Sequence, residues 1–298
     1  MANVLSKGSL FPPALTDELF NIVRGKSSLA RLSEARPLAF RGNAVWTFSM
    51  DKEVDLVAEN GAKSNGGATM GQVNIVPVKV EYGMRVSDEF KYASEEIRLD
   101  YLRAFGEGFA SKVARGIDIM AFHGYNPRTG SAASQLATNN FDAVVSNSVT
   151  ATANPDADVT SAIALVEAAE HEVTGMAMAP AFRTALAQMK KGTDSNESLF
   201  PELAWGSNPS TINGLPVDVN GTVSFNSSTD RAVVGNFRDF FRWGFAREIP
   251  IEVIEYGNPD NDAEAGDLKG HNQVYIRGEA YVGWGILVPA AFARIVTA

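Results

Sequence analysis

Apolar and polar residues alternate in two stretches near the start of the chain, and that period predicts β-strands. Trp46, Phe48 and Met50 interleave with Val45, Thr47 and Ser49, and Val76, Val78, Val80, Tyr82, Met84 and Val86 interleave with Pro77, Lys79, Glu81, Gly83 and Arg85. Val73 and Ile75 fall in the opposite phase, which places a bulge or kink near Ile75–Pro77. The intervening Asp51 to Met70 is rich in Gly, Ala, Asn and Ser, so the two strands enclose a long hairpin. A two-stranded ribbon is marginal in water and cannot bury its own apolar face. This one needs a neighbouring surface, in the same chain or in another copy of it.

A helical period follows. Ser87 and Asp88 cap a first short turn, Ser94 with Glu95 and Glu96 restarts it, and no proline interrupts the chain to Phe122. Ile97, Tyr101, Phe105, Phe109, Val113 and Ile117 recur every four residues. That spacing overshoots the helical turn by about 40° per step, so the two ends of the stripe face different neighbours. Gly106, Gly108 and Gly116 each weaken the helix and read as close-packing points. The element predicts a spine along which others are laid. It ends in the turn-formers His123 to Gly130.

Ahead of these elements, Pro12 and Pro13 precede Leu15, Leu19, Ile22 and Val23, which share a helical face, with Thr16 or Asp17 in the first turn and Gly25 at the end. A helix this short docks on something else. Beyond the spine, a Ser/Thr/Asn/Ala segment runs to about Asp156 and Val159 to Val173 has helical periodicity closed by Gly175. Met176–Ala179 reads as a short buried strand, and Pro180 opens a helix to Met189. This alternation predicts an α/β-like module over 158–248. Ala232–Val234, Ile249–Tyr256 and Gln273–Val288 are strand-like.

Composition narrows the function classes. With 298 residues, 45% hydrophobic and 20% charged, the chain is ordinary globular material with a sizeable core. It has no cysteine, which excludes disulfides, thiolate metal sites and cysteine nucleophiles. A net charge of -9 argues against a protein whose main task is gripping phosphate backbones. Neither a signal-peptide core nor a membrane-spanning run is present, so a reducing, cytosolic setting is expected.

Catalytic signatures fail on inspection. Gly25-Lys26-Ser27 has the tail of a phosphate loop, but Phe20 stands where its first glycine belongs. His171-Glu172 begins a zinc-protease pattern that Gly175 ends, and His123, His171 and His271 would have to converge from a distance to hold a metal. Asp118, near the apolar stripe, reads as a structural ion pair or cap with a partner such as Arg115. Glu252 to Asp267 holds six acids and no Lys or Arg. Within it, Asp260-x-Asp262-x-Glu264 resembles the start of a calcium loop, but Ala265 replaces the obligatory glycine and His271 the closing glutamate. A solvated turn is the expectation. No catalytic, cofactor-binding or metal residue is assigned.

The order of the segments resembles the major capsid proteins of tailed bacteriophages, with the Hong Kong-97-type capsid fold. Leu10-Phe11-Pro12 and Ser27-Ser28-Leu29-Ala30-Arg31 look like that family's N-terminal arm, and Val57-Ala58-Glu59-Asn60-Gly61-Ala62 resembles its extended-loop (E-loop) signature. Arg85-Val86-Ser87-Asp88-Glu89-Phe90 is similar to the strand entering the spine helix, and Ala114-Arg115-Gly116-Ile117-Asp118 with Phe122-His123-Gly124 and Pro127-Arg128-Thr129-Gly130 to its exit. Met178-Ala179-Pro180-Ala181-Phe182-Arg183, Leu199-Phe200-Pro201 and Ile212-Asn213-Gly214-Leu215-Pro216-Val217 resemble the axial (A) domain. Gly235-Asn236-Phe237 and Val288-Pro289-Ala290-Ala291-Phe292 complete the series.

The resemblance implies an α+β fold with an arm at 1–40, the E-loop hairpin and flanking strands at 41–87, and a peripheral (P) domain with the spine at 88–157. An A-domain at 158–248, P-domain strands at 249–287 and a C-terminal A-domain segment at 288–298 follow. It implies a non-enzymatic shell protein that assembles through pentamers and hexamers into an icosahedral capsid around double-stranded DNA, a virion component made in the host cytoplasm. A separate scaffolding protein, a portal and a decoration protein are the implied partners, with no membrane. Because the arm begins at Met1, a cleaved scaffolding segment is not expected. Some relatives cross-link an E-loop lysine to an asparagine beside a glutamate, and Lys63, Asn272 and Glu279 could take those parts, although nothing in the sequence shows that they meet. The alternatives are an encapsulin-type bacterial compartment and, remotely, an acidic carboxylate-dependent hydrolase.

Overall fold

The computed structural model describes residues 19, 21–23, 25–192, 195–247 and 251–297. Three sheets and one long helix organise them. Strands β1 (Asn43–Met50) and β2 (Ala68–Ile75) form a two-stranded ribbon. Strand β3 (Val78–Ser87) leaves that ribbon at Val76–Pro77, where the phase of the alternation changes, and pairs instead with the long β11 (Gln273–Ile286). The hairpin partner of β1 is therefore 68–75. The alternation had pointed to the longer 76–86 run, because the Gly, Thr and Asn of β2 carry little strand signal.

The spine is helix α2 (Glu95–His123), preceded by a helical turn at Asp88–Tyr92. Ser87 accepts from the Glu89 N–H and Ser94 from the Ile97 N–H, so each hydroxyl satisfies a donor that the helix start leaves free. Gly124 closes the helix in the left-handed conformation at φ +67°, where a side chain would be strained. Ahead of the spine, α1 (Ser28–Leu32) follows the helical residues of the arm. Leu19 and Val23 of the arm are buried in the core that includes the spine, so the arm docks within its own chain. Leu15, Thr16 and Asp17 lie outside the described residues, as do Leu10-Phe11-Pro12 and Ile249.

Strands β9 (Phe241–Arg247) and β10 (Ile251–Ile254) also pair with β11, giving a four-stranded sheet against the spine. The aromatic core of Phe122, Phe141, Trp243 and Trp284 lies here. A six-stranded sheet runs in the order β4 (Ser148–Thr150), β12 (Phe292–Val296), β8 (Asp230–Gly235), β5 (Gly175–Met178), β7 (Leu215–Val219), β6 (Thr211–Ile212). Helices α4 (Pro155–Ala168) and α5 (Pro180–Ala187) pack on it to form a second core around Met176, Met178, Phe182 and Val234. Two short helices, α3 (Phe141–Val144) and α6 (Phe237–Phe240), add Phe141 and Phe237 to the core around the spine, with their rings 6.2 Å apart.

Helix α4 starts and ends earlier than its apolar period predicts. Asn154 caps it with Pro155 in the first turn, Glu170 turns left-handed at φ +61°, and Gly175 opens β5 instead of closing the helix. Among the spine glycines only Gly106 is a tight contact, where a Cβ would lie 3.2 Å from Ile251 Cδ1. At Gly108 nothing lies within 4 Å, so that position does not pack within the described chain.

Candidate assembly surface

The β1–β2 register is Trp46↔Gln72, Phe48↔Met70 and Met50↔Ala68. Directly paired residues share a face, so Trp46, Phe48, Met50 and Met70 make one apolar side of the ribbon. That side faces water. Phe48 is 59% exposed and Met50 72%, and the loop at 51–67 adds Val54 and Leu56 at 96% and 98%. Contiguous apolar surface of this kind marks an interaction site.

The ribbon's other side is covered only at its root. Ile75 is buried against β11, and Gly285 leaves the room for it, since a Cβ there would meet Ile75 Cγ1 at 2.7 Å. The chain entering β1 is fixed in the same region, with the Arg36 N–H donating to the Trp243 carbonyl at 2.8 Å. Gly244 has no room for any side chain against the Arg36 carbonyl. The ribbon is thus anchored at one end and open along its apolar face to the other.

The spine shows the same division. Phe105, Phe109, Val113 and Ile117 are buried, whereas Ile97 is 60% exposed and Tyr101 only half-covered, with its ring 5.5 Å from Phe90. The stripe does change neighbours along its length, and at its N-terminal end Ile97 is left exposed.

Two buried ionic clusters hold the scaffold behind this surface. Asp118 is fully buried, and its partner is not Arg115, whose guanidinium lies over the Phe225 ring at 5.7 Å. Instead Asp118 accepts from Ser27 Oγ at 2.5 Å, Ser28 N–H at 2.9 Å, Leu29 N–H at 3.2 Å, Thr222 Oγ1 at 3.1 Å and Asn220 Nδ2 at 3.2 Å. It joins the arm, the spine and the turn after β7. Burial pushes its carboxyl up to about 6, against the pull of those hydrogen bonds. The Ser27 of the apparent phosphate-loop tail is therefore a cap on α1, not a phosphate ligand.

The second cluster is His123, Asp142 and Asp230 with Arg294. His123 Nδ1 lies 2.9 Å from Asp142 Oδ2 and Nε2 lies 2.9 Å from the Thr222 carbonyl. Both ring nitrogens face acceptors, so a proton sits on each or is shared with Asp142. Burial opposes the charged ring, but Asp142 and the Thr222 carbonyl raise His123 overall. Burial and the adjacent Asp142 raise Asp230 to about 7, whereas Asp142, also buried, is held low by His123. These three side chains converge as metal ligands would. However, Arg294 Nη2 already lies 2.8 Å from both Asp142 Oδ1 and Asp230 Oδ1, supplying the positive charge in place of a cation. The cluster ties the spine's end to β8 and β12. His171, by contrast, packs edge-on against Phe240, and His271 bonds the Asp267 carbonyl.

The acidic loop is organised by a cation from elsewhere in the chain. Arg85 Nε donates to Asp260 Oδ2 at 2.8 Å, Nη2 to Asn258 Oδ1 at 2.7 Å and to the Gly266 carbonyl at 2.9 Å, and Nη1 to the Ala265 carbonyl at 3.1 Å. The Arg85 bond holds Asp260 down at about 2. The half-formed calcium pattern is filled by a guanidinium. The expected solvated turn is also a pinned one, through a pairing that residues so far apart in sequence could not disclose.

Lys63, Asn272 and Glu279 do not meet within one chain. Lys63 lies in the exposed loop, Asn272 adopts the left-handed conformation just before β11, and Glu279 binds Lys79 at 2.7 Å. Seven residues of extended chain, about 23 Å, separate Asn272 from Glu279.

Comparison with known proteins agrees with this architecture. A solved chain of Mycobacterium phage Ogopogo is 31% identical, with 92% of each chain covered and a TM-score of 0.76. One from Gordonia phage Cozz is 25% identical over 91% of this chain and 87% of that one, with a TM-score of 0.73. The capsid of an empty GTA particle, 14% identical with a TM-score of 0.64 over 92% and 90%, shares the fold. No curated protein sequence matches. The phage capsid family matches residues 7–297, nearly the whole chain, and an encapsulin assignment is no better supported. This chain belongs to the phage capsid family, with the α+β major capsid fold and a structural, self-associating role in the virion shell.

Proposed function

We propose that this capsid protein assembles through pentamers and hexamers into an icosahedral shell that encloses packaged double-stranded DNA, formed in the cytoplasm of the host. The observation that carries the reading is the ribbon: anchored at its root, apolar on the face turned to water, and too thin to cover itself. The GTA capsid, which has this fold, was computed with C5 symmetry, in keeping with rings built from heterologous contacts. A net charge of -9 suits a container that must not grip its contents. Separate scaffolding, portal and decoration proteins complete the reading by family resemblance. No helix among the described residues is long and apolar enough to cross a membrane.

In this reading the spine and the four-stranded sheet form the P-domain (88–157 and 249–287), the six-stranded sheet forms the A-domain (158–248 and 288–298), and 1–40 and 41–87 are the arm and E-loop. The return of β12 into the six-stranded sheet supports the split A-domain. Three strands cross the proposed borders: β4 joins the A-domain sheet, and β3 and β9 join the P-domain sheet. Negative-stain electron microscopy with mass determination in solution tests the assembly. Shells, tubes or discrete pentamers and hexamers are expected, and a monodisperse monomer that persists with a co-expressed scaffold overturns the reading.

A further inference from the structure

At the root of the ribbon lies an open cavity of about 430 Å³, lined by Arg36, Pro37, Leu38, Val45, Ile75 and Arg242. Its size is in the range of clefts that hold ligand-sized groups. Neither arginine has an ion pair or side-chain hydrogen bond among the described residues, an unusual luxury in a chain of net charge -9. The cavity therefore offers an apolar wall beside two free guanidinium groups. At the ribbon's other end the loop presents the complement. Glu53, Val54, Asp55 and Leu56 are all exposed, and in extended chain the two acids point one way and the two apolar residues the other.

We propose that the Glu53–Leu56 segment of a second copy seats in this cavity, with Val54 and Leu56 against Leu38 and Val45 and the two carboxylates on Arg36 and Arg242. The proposal rests on the assembly reading and deepens it by naming where the open end of one subunit lands on the next. A chain's own loop leaves the ribbon at the wrong end, eight residues or roughly 27 Å of strand away from the root. Donor and acceptor thus sit at opposite ends of the same ribbon. Every copy gives one contact and receives another, the head-to-tail pattern that closes into rings. Burial of the two apolar side chains supplies affinity, and the charge pairs fix orientation and register.

Disulfide trapping tests this directly, because the chain has no thiol of its own. In assembled particles of the Val45→Cys/Leu56→Cys variant, mild oxidation is expected to give a ladder of covalently joined chains on a non-reducing gel, and neither single variant should. An internal link within one chain, or particles that form but give no ladder, overturns the proposal; the second result would leave the cavity to another occupant, such as residues 1–18. A charge-reversal series covers the case in which the cysteine variant does not assemble. Arg36→Glu/Arg242→Glu and Glu53→Lys/Asp55→Lys are each expected to lower particle yield about tenfold or more, and combining them to restore most of it. Two independent losses without rescue count against the pairing. Deleting 53–56 separates the two levels: if particle yield is unchanged, the assembly reading of the loop fails. If deletion abolishes particles while the charge reversals are silent, the assembly reading stands and this cavity is not the receptor.

Discussion

The ribbon and the six-stranded sheet use the same local chemistry to opposite ends. In the sheet, β5 and β8 pair Met176 with Val234 and Met178 with Ala232, and both strands are covered by α4, α5 and neighbouring strands until those side chains are buried. In the ribbon, Phe48 pairs with Met70 in an equally regular antiparallel register, yet nothing described in the chain covers them. Strand formation is thus separable from burial. The ladder needs only extended backbone and a return; the cover has to come from another element, and where the chain supplies none the apolar face is left for assembly. The spine repeats the contrast along one helix, with Phe109 and Ile117 in the core and Ile97 in water.

The strongest way to break the comparison is to remove one side of it. Deleting Val54–Met70 is expected to abolish particles in electron microscopy while the subunit still unfolds cooperatively, because this segment contributes nothing to either buried core. Normal particles from that deletion would refute the placement of the assembly surface. Within the spine, Phe105→Ala is expected to cost the isolated subunit about 3 kcal/mol, at the lower end for a buried aromatic because its rim is not fully closed. Ile97→Ala should change subunit stability by less than about 0.5 kcal/mol. Equal effects in denaturant titrations would show that the stripe does not divide as described.

Asp118→Asn sharpens the scaffold side. The amide would replace one acceptor oxygen with donors facing Ser28 N–H and Thr222 Oγ1, leaving buried donors unpaired. A loss of about 2 kcal/mol is expected, with the arm released first. Hydrogen exchange at Ser28 and Leu29 checks this, and unchanged protection there would mean the arm is held by apolar contacts alone.

Much of this fold was legible from local pattern. Ser87, Ser94 and Gly124 marked the spine's limits because capping is a short-range rule, and the phase change at Ile75–Pro77 marked where the chain changes sheets. What escaped was pairing at long range. Strand β2 lacked apolar alternation, and β9, although aromatic-rich, showed no boundary against α6. Asp118 meets Ser27 across 91 positions, and Arg85 meets Asp260 across 175, so no spacing rule connects them. A signal for Asp118 did exist: a carboxylate inside the apolar run Val113–Phe122 must find donors. The sequence could say that partners were needed, but not which ones.

The smallest expected effect is a slope with pH, and it separates the scaffold from the assembly surface. Asp118 and Asp230 both have folded-state pKa values above that of an ordinary aspartate, at about 6 and about 7. The folded state therefore holds protons that the unfolded chain releases at lower pH. Their contribution is full below the unfolded value, near 4, and is lost as pH rises through 6 and 7. Asp260 is displaced downward and acts oppositely, but only in strong acid. Between pH 5 and 8 the subunit should lose stability with a slope of about 1.4 kcal/mol per pH unit for each of the two carboxyls until its folded-state value is passed. Asp230→Asn should flatten the upper part of that profile, because the amide cannot titrate beside Asp142 and Arg294. The loop deletion should leave the profile unchanged, since none of its residues belongs to either cluster. A slope that disappears with the loop and survives Asp230→Asn would move the titrating groups out of the scaffold and onto the ribbon.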